Sequence, residues 1–151
     1  MPIKFLVDFM LGKLAKQLRI LGFDTQYIKE KYSPLLLIKL AEGEDRALLT
    51  RNTKLKAYTC VVFIESENLK DQIHQIFTHF KINKETKPFS RCLICNELLI
   101  PISKPEVKGK VPFYIFQTKD KFSLCPKCNR IFWQGTHLKD MKKKVRKVTA
   151  K

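Results

Sequence analysis

The chain has 151 residues, of which 44% are hydrophobic, and a formal net charge of +16. A chain of this length can bury one core and a small second cluster, which excludes two full-sized domains. No stretch approaches the roughly 20 apolar residues of a membrane span, and the first residues lack the features of a secretory signal. We therefore expect a cytoplasmic protein that does not insert into a membrane.

The positive charge is concentrated in the second half of the chain. Residues 1–80 contain 12 Lys and Arg against 9 Asp and Glu, whereas residues 81–151 contain 18 against 5. Such a field attracts polyanions, because their binding releases condensed counterions. Nucleic acid is therefore the predicted partner. An anionic membrane surface and a merely soluble basic surface are the alternatives.

Predicted strands and helices alternate through the first 80 residues. The apolar run at residues 3–7 predicts a buried strand, and further strands are predicted over residues 23–28, 47–50 and 60–64. Helical periodicity predicts helices over residues 11–21, 35–42 and 69–80. Gly22 is a stop signal for the first helix, and Ser33 followed by Pro34 is a start signal for the second. Parallel strands need helical crossovers, so we predict an α/β domain over residues 1–80, with a parallel sheet covered by helices.

Four of the five cysteines form two Cys-x-x-Cys pairs, which are Cys92 with Cys95 and Cys125 with Cys128. This spacing lets a tight turn direct two thiolates at one ion. Asn96 and Asn129 follow the pairs, and asparagine tolerates the left-handed conformation that such turns need. A redox pair is the main alternative, but that motif normally occurs once and at the start of a helix. We predict a small zinc ribbon whose closed four-sulfur site holds a structural ion.

We place a basic linker at residues 81–91, the ribbon at residues 92–137 and a basic amphipathic tail at residues 138–151. Within the ribbon, residues 113–117 and 122–124 are predicted to form a hairpin. The predicted RNA contacts of the tail are Lys142, Lys143, Lys144 and Arg146. The ribbon aromatics Phe113, Phe132 and Trp133 either stack on unpaired bases or form the ribbon core.

Polar residues follow the predicted strands of the sheet. Asp8 follows the first strand, and Arg51 and Asn52 follow the third. Ligands of parallel α/β sheets bind beyond these carboxyl ends. Asp8 is therefore either a ligand-binding carboxylate or a helix N-cap. Arg51 either holds a phosphate or pairs with Glu65.

Five segments of the chain carry a family resemblance when they are taken in order. They are KFLVDFMLGKLAKQLRILGFDT, ALLTRN, RCLICN, CPKCN and FWQGTH. Together they resemble the Mut-seven C-terminal RNase domain, a PIN-like nuclease fold with an attached zinc ribbon. The resemblance extends to about His137, which matches the closing motif and either contacts phosphate or makes a local hydrogen bond. It implies a PIN-like sheet in which strand-end carboxylates, Asp8 among them, hold Mg²⁺ or Mn²⁺ for RNA cleavage.

The chain departs from the family pattern at two carboxylate positions. The family has an aspartate where this chain has Ser33 and Pro34, and another where it has Asn52. An amide oxygen is a weaker ligand than a carboxylate for a hard cation. The acidic residues Glu42, Glu44 and Asp45 are expected at the opposite end of the sheet, because they precede the third strand.

Three functions remain open on the sequence. The first is a divalent-metal ribonuclease that uses Asp8 and Asn52. The second is an eroded module that binds RNA or a ribonucleoprotein such as the ribosome. In the third, the tail helix binds a protein partner.

Overall fold

The computed structural model describes residues 2–82 and 86–134. The predicted tail and its RNA contacts, together with His137, lie outside these residues. Within the described ranges, no helix combines the length and the apolar character needed to cross a membrane. We call residues 2–82 the parallel-sheet region and residues 86–134 the cysteine region.

The parallel-sheet region contains four strands and three helices. The strands are β1 (Lys4–Val7), β2 (Asp24–Tyr27), β3 (Ala47–Thr50) and β4 (Val61–Phe63). The helices are α1 (Gly12–Ile20), α2 (Pro34–Gly43) and α3 (Leu69–His79). All strand pairs are parallel, and the order across the sheet is β2-β1-β3-β4. The predicted α/β sheet with flanking helices is confirmed.

Alternate residues of the strands pack against helices on opposite faces of this sheet. Phe5 and Val7 of β1 join a core with residues of α1 and α3, whereas Leu6 packs with Leu37 and Ala41 of α2. Successive side chains of a strand point to opposite faces, so a sheet buried on both faces needs uninterrupted apolar runs. The uninterrupted apolar residues of β1 are therefore explained by its position inside the sheet, where both faces are covered.

Two helix boundaries follow from local signals that the sequence displays. The Ser33 hydroxyl accepts a hydrogen bond from the Leu36 amide at 3.3 Å, and Pro34 is the first residue of α2. Gly22 follows α1 with a φ of +98°, a conformation that favours glycine. The end of α1 and the start of α2 therefore lie where the sequence predicted them.

The cysteine region contains three short strands and two short helices. They are β5 (Ile100–Ile102), α4 (Lys104–Val107), α5 (Phe113–Thr118), β6 (Phe122–Leu124) and β7 (Ile131–Trp133). The strands form an antiparallel sheet in the order β5-β6-β7. Val107, Ile115 and Phe122 form a small core, against which Trp133 packs.

The hairpin predicted for residues 113–117 and 122–124 is wrong in its first strand. Pro112 precedes a helical turn, and its carbonyl accepts hydrogen bonds from the amides of Ile115 and Phe116. These two residues pack into or against the small core, so tertiary packing outweighs the β propensity of the aromatic run. β5 pairs with β6 instead. It tolerates Pro101 because it has a single neighbouring strand.

Residues 86–91, within the predicted linker, contact the end of α1. The Phe89 amide donates a hydrogen bond to the Ile20 carbonyl at 2.8 Å, and Arg91 Nε donates one to the Gly22 carbonyl at 3.2 Å. A Cβ atom placed on Gly22 would lie 2.2 Å from the Lys87 carbonyl oxygen. This close approach requires glycine at position 22.

Candidate functional site

The four predicted cysteine ligands lie together. The Sγ atoms of Cys92, Cys95, Cys125 and Cys128 all lie within 4.8 Å of one another. The distance between Cys92 Sγ and Cys128 Sγ is 3.8 Å. A tetrahedral zinc ion bound about 2.3 Å from each sulfur places the sulfurs about 3.8 Å apart, so the cluster fits zinc. In the described part of the chain, no other group of three or more His, Cys, Asp or Glu side chains could share an ion.

The two cysteine turns have matching backbone geometry. In each turn the second cysteine directs its amide at the first sulfur, at 3.4 Å for Cys95 and 3.5 Å for Cys128. Asn96 and Asn129 have φ values of 66° and 63°. The predicted left-handed asparagines are therefore confirmed, and each turn supplies a backbone amide donor to its first sulfur.

Burial and hydrogen bonding act in opposite directions on the thiols. Burial raises the pKa of the Cys92 thiol, whereas a hydrogen bond from the Arg130 backbone lowers the pKa of Cys128 to about 6. Metal binding requires deprotonated sulfur, so a cation among these groups favours all four thiolates. Four sulfur ligands would fill the tetrahedral positions of a zinc ion and leave none for substrate, as in structural zinc sites.

The first cysteine turn is bonded to β2 of the parallel sheet. The Asn96 side chain donates a hydrogen bond to Asp24 Oδ1 at 2.7 Å and accepts one from the Thr25 amide at 3.0 Å. Arg19 of α1 donates from Nη1 to the Leu93 carbonyl at 2.8 Å and from Nε to the Thr25 carbonyl at 2.9 Å. Side-chain hydrogen bonds therefore hold the first cysteine turn against the parallel-sheet region.

Asp24 is the charged centre of this contact. Burial alone would raise the pKa of its carboxyl, but hydrogen bonds from Arg46 and Asn96 hold it below the ordinary value. Arg46 Nη1 lies 2.8 Å from Asp24 Oδ1, and its guanidinium is nearly buried. Sequence reasoning missed these contacts. The sequence carries no signal for them, because the burial of Arg19 is seen only in the structure.

A second candidate site lies at the carboxyl ends of β1 and β3. Asp8 is 2% exposed, and its Oδ1 accepts a hydrogen bond from the Phe9 amide at 2.8 Å. Its Oδ2 accepts one from Thr50 Oγ1, also at 2.8 Å, and Thr50 Oγ1 accepts one from the Asn52 amide at 3.0 Å. The segments that leave these two ends cover opposite faces of the sheet: α1, which follows β1, packs on one face, and Leu55, in the turn that follows β3, packs on the other. Ligands of α/β sheets bind at such a switch point.

Asn52 and Ser33, the residues at the two positions where the family has an aspartate, both act as helix caps. Asn52 Oδ1 accepts a hydrogen bond from the Lys54 amide at 3.0 Å, and Ser33 Oγ caps α2 as described above. Asp8 belongs to no group of three or more candidate metal ligands within the described residues. The strand-end site thus presents one nearly buried carboxylate with both oxygens hydrogen-bonded.

The remaining acidic candidates lie at the opposite end of the sheet, as predicted. Glu44 Oε2 lies 3.6 Å from Arg46 Nε, and the Arg46 guanidinium also contacts the start of β2 at Asp24. Because these residues come before β3 and at the beginning of β2, they cannot reach Asp8 at the carboxyl ends.

The Arg51 side chain binds the loop that follows β4 through a hydrogen bond and an ion pair. Its Nη1 donates a hydrogen bond to the Ile64 carbonyl at 3.0 Å, and its Nη2 lies 3.7 Å from Glu67 Oε1. Its carboxylate partner is therefore Glu67 rather than the predicted Glu65. The Arg51 side chain remains partly exposed beside the strand ends.

The aromatic candidates of the cysteine region separate into two kinds. Trp133 packs against the small core, in agreement with the core interpretation. Phe113 is 72% exposed, and its neighbour Tyr114, which sequence reasoning missed, is 66% exposed. Phe113 therefore does not belong to the core.

Comparison with known proteins gives one family match, and the matched range includes both candidate sites. No curated protein and no solved structure gives a significant match. The family model of the Mut7-C RNAse domain matches residues 3–145, a range that includes the parallel sheet and all four clustered cysteines. This match indicates a nuclease or RNA-related role. Because it covers nearly the whole sequence, the chain belongs to the Mut7-C RNAse domain family.

Proposed function

We propose that this protein binds RNA and that its strand-end site no longer supports two-metal cleavage. The observation that carries the proposal is the state of Asp8. It is nearly buried, both of its oxygens accept hydrogen bonds, and the side-chain oxygen of Asn52, at the end of the neighbouring strand, serves as a cap. Mg²⁺ and Mn²⁺ need several anionic oxygens to activate water on a phosphodiester. A single carboxylate gives too little negative charge for two such ions.

Charge supports RNA as the partner. Residues 86–134 contain nine Lys and Arg against three Asp and Glu, and the predicted tail adds further lysines. Each phosphate neutralised by these cations releases counterions and adds to the affinity. Zinc at the four cysteines holds this basic region in shape. Structured RNA in the cytoplasm, including that of a ribonucleoprotein such as the ribosome, is the target we propose.

A PIN-like fold is part of the same proposal. It is supported by the family and by the parallel order of the strands. Under this proposal, Arg51 and the residues beyond 134, His137, Lys142, Lys143, Lys144 and Arg146, contact phosphates.

A second candidate function is divalent-metal ribonuclease activity. The position of Asp8 at the switch point between β1 and β3 favours it, as does the family. In this alternative, Asp8 holds one Mg²⁺ or Mn²⁺ ion, and Asn52 turns from its cap to supply a neutral oxygen. The two candidates differ in whether the wild-type protein cleaves RNA.

The deciding experiment compares the wild type with Asp8→Asn and Asn52→Asp. Binding and cleavage of a single-stranded and a structured RNA are measured with and without Mg²⁺ or Mn²⁺. Aspartate caps helices as well as asparagine does, so Asn52→Asp keeps the turn while adding a carboxylate near Asp8. Asn68→Asp is a matched control, because Asn68 also caps a helix but follows β4, two strands away from β1.

We expect all four proteins to bind RNA. The wild type and Asn68→Asp should not cleave it, whereas Asn52→Asp should gain metal-dependent cleavage, strengthened by Ser33→Asp. Cleavage by the wild type that Asp8→Asn abolishes would establish the enzyme instead. Absence of RNA binding by the wild type would refute the binding function.

A further inference from the structure

Two adjacent aromatic side chains project from the cysteine region into solvent. Phe113 is 72% exposed and Tyr114 is 66% exposed, and both belong to the first turn of α5. The next two residues of the helix face inward, with Ile115 buried in the small core and Phe116 packed against it. The core of the region is therefore complete without the two exposed rings.

Exposed lysines lie immediately before these rings in the chain. Lys108 and Lys110 are exposed on either side of Gly109, whose φ is +80°. Lys110 is three positions before Phe113, so the chain keeps their Cα atoms within about 11 Å of each other. Asp120, two positions after the end of α5, lies 3.5 Å from the ammonium of Lys104. We call Lys108, Lys110, Phe113 and Tyr114 the aromatic-lysine surface.

We propose that the aromatic-lysine surface binds the single-stranded segments of structured RNA, such as loops and ends, with unpaired bases stacked on the two rings and phosphates held by the two lysines. The inference rests on the proposed RNA-binding function and assigns it a place and a substrate class. Aromatic rings beside cations are the combination by which proteins hold single strands without reading their sequence. Paired bases in a duplex offer no free face to the rings, so unpaired segments are selected.

The proposal is tested on the full-length, zinc-loaded protein. Affinity is measured for a single-stranded RNA and for a duplex of the same sequence, with 2-aminopurine in the single strand as a reporter of stacking. The variants are Phe113→Ala, Tyr114→Ala and their double. Leu98→Ala is the matched control, because Leu98 is 58% exposed in the same region and lies outside the surface.

Each ring removal is expected to weaken single-strand binding by roughly 5-fold to 150-fold. The melting temperature should stay unchanged, because the rings are exposed. Tyr114→Phe should retain the affinity, since the aromatic face remains. Lys108→Gln and Lys110→Gln should each lower the slope of log K against log salt by about 0.7, whereas the ring variants leave the slope unchanged. Leu98→Ala should bind as the wild type does.

These measurements distinguish a wrong assignment of the surface from a wrong proposed function. If the wild type binds RNA and the double ring variant binds it equally well, the surface is misassigned while RNA binding stands. Equal loss of duplex and single-strand binding would refute base stacking. Loss of a protein complex with unchanged RNA affinity would identify a protein interface instead. If the wild type binds no RNA, the proposed function itself is wrong.

Discussion

Replacing Asn96 with glycine removes the side chain that holds the first cysteine turn against β2. Glycine adopts the φ of 66° at this position without strain, so the turn itself is preserved. The change deletes the hydrogen bond to Asp24 Oδ1 and leaves the Thr25 amide without its acceptor. The substitution therefore tests the contact between the first cysteine turn and β2 without changing the turn itself.

The expected loss of stability follows from these two hydrogen bonds. A hydrogen bond to a charged group contributes about 1.5–3 kcal/mol, and a buried donor left without a partner costs about 1–3 kcal/mol. The two effects share one side chain and do not add fully. We expect the free energy of unfolding to fall by about 2–4 kcal/mol. For a chain of this size, the melting temperature should fall by roughly 6–12 °C.

Asn129→Gly is the matched control for this experiment. Asn129 has nearly the same φ in the second cysteine turn, but its side chain is exposed. This change should alter stability by no more than about 0.5 kcal/mol. Unfolding of the zinc-loaded protein is followed by far-ultraviolet circular dichroism and by the fluorescence of the single tryptophan, Trp133, in the cysteine region. Equal shifts for the two glycine variants would refute the role assigned to Asn96.

Three further predictions concern the metal, a glycine and a carboxylate. Elemental analysis should find one zinc per chain, and Cys125→Ser should lose it, because removal of one thiolate opens a closed site; zinc retained at full occupancy in the variant would count against the site. Gly22→Ala should destabilise by more than about 2 kcal/mol in urea unfolding, because a Cβ meets the Lys87 carbonyl at a φ of +98°. Gly43→Ala, where a Cβ meets nothing within 4 Å, should be neutral or stabilising, and equal losses would contradict the steric argument. The Asp24 carboxyl has a lowered pKa in the folded state, so its contribution is present at neutral pH and is lost as pH falls below about 4. The stability advantage of the wild type over Asp24→Asn should therefore shrink in acid, and a constant difference across that range would be the contrary result.

The parallel sheet was predictable because its signals are local. β1, β3 and β4 are short apolar runs, Ser33 with Pro34 starts α2, and Gly22 ends α1. The cysteine cluster was predictable for the same reason, since the spacing within each pair defines the turn. Such signals need no knowledge of distant residues.

The features that sequence reasoning missed depend on contacts between distant segments. Asn96 meets Asp24 across 72 positions in the chain, and no periodicity marks such a pair. The aromatic run at residues 113–117 has the composition of a strand, but packing of Ile115 and Phe116 makes it a helix. The engagement of Asn52 as a cap likewise became visible only with the backbone of the following turn.

The attachment of the first cysteine turn also has a consequence for self-association. β2 lies at one border of the sheet, where unpaired amide and carbonyl groups are a template for pairing with another chain. At Thr25 both groups are occupied, the amide by Asn96 and the carbonyl by Arg19. A foreign strand cannot add at this position while the turn is in place. A metal ion bound by the four cysteines would fix this turn, so removing that ion should uncover the border and favour aggregation of the protein through β2.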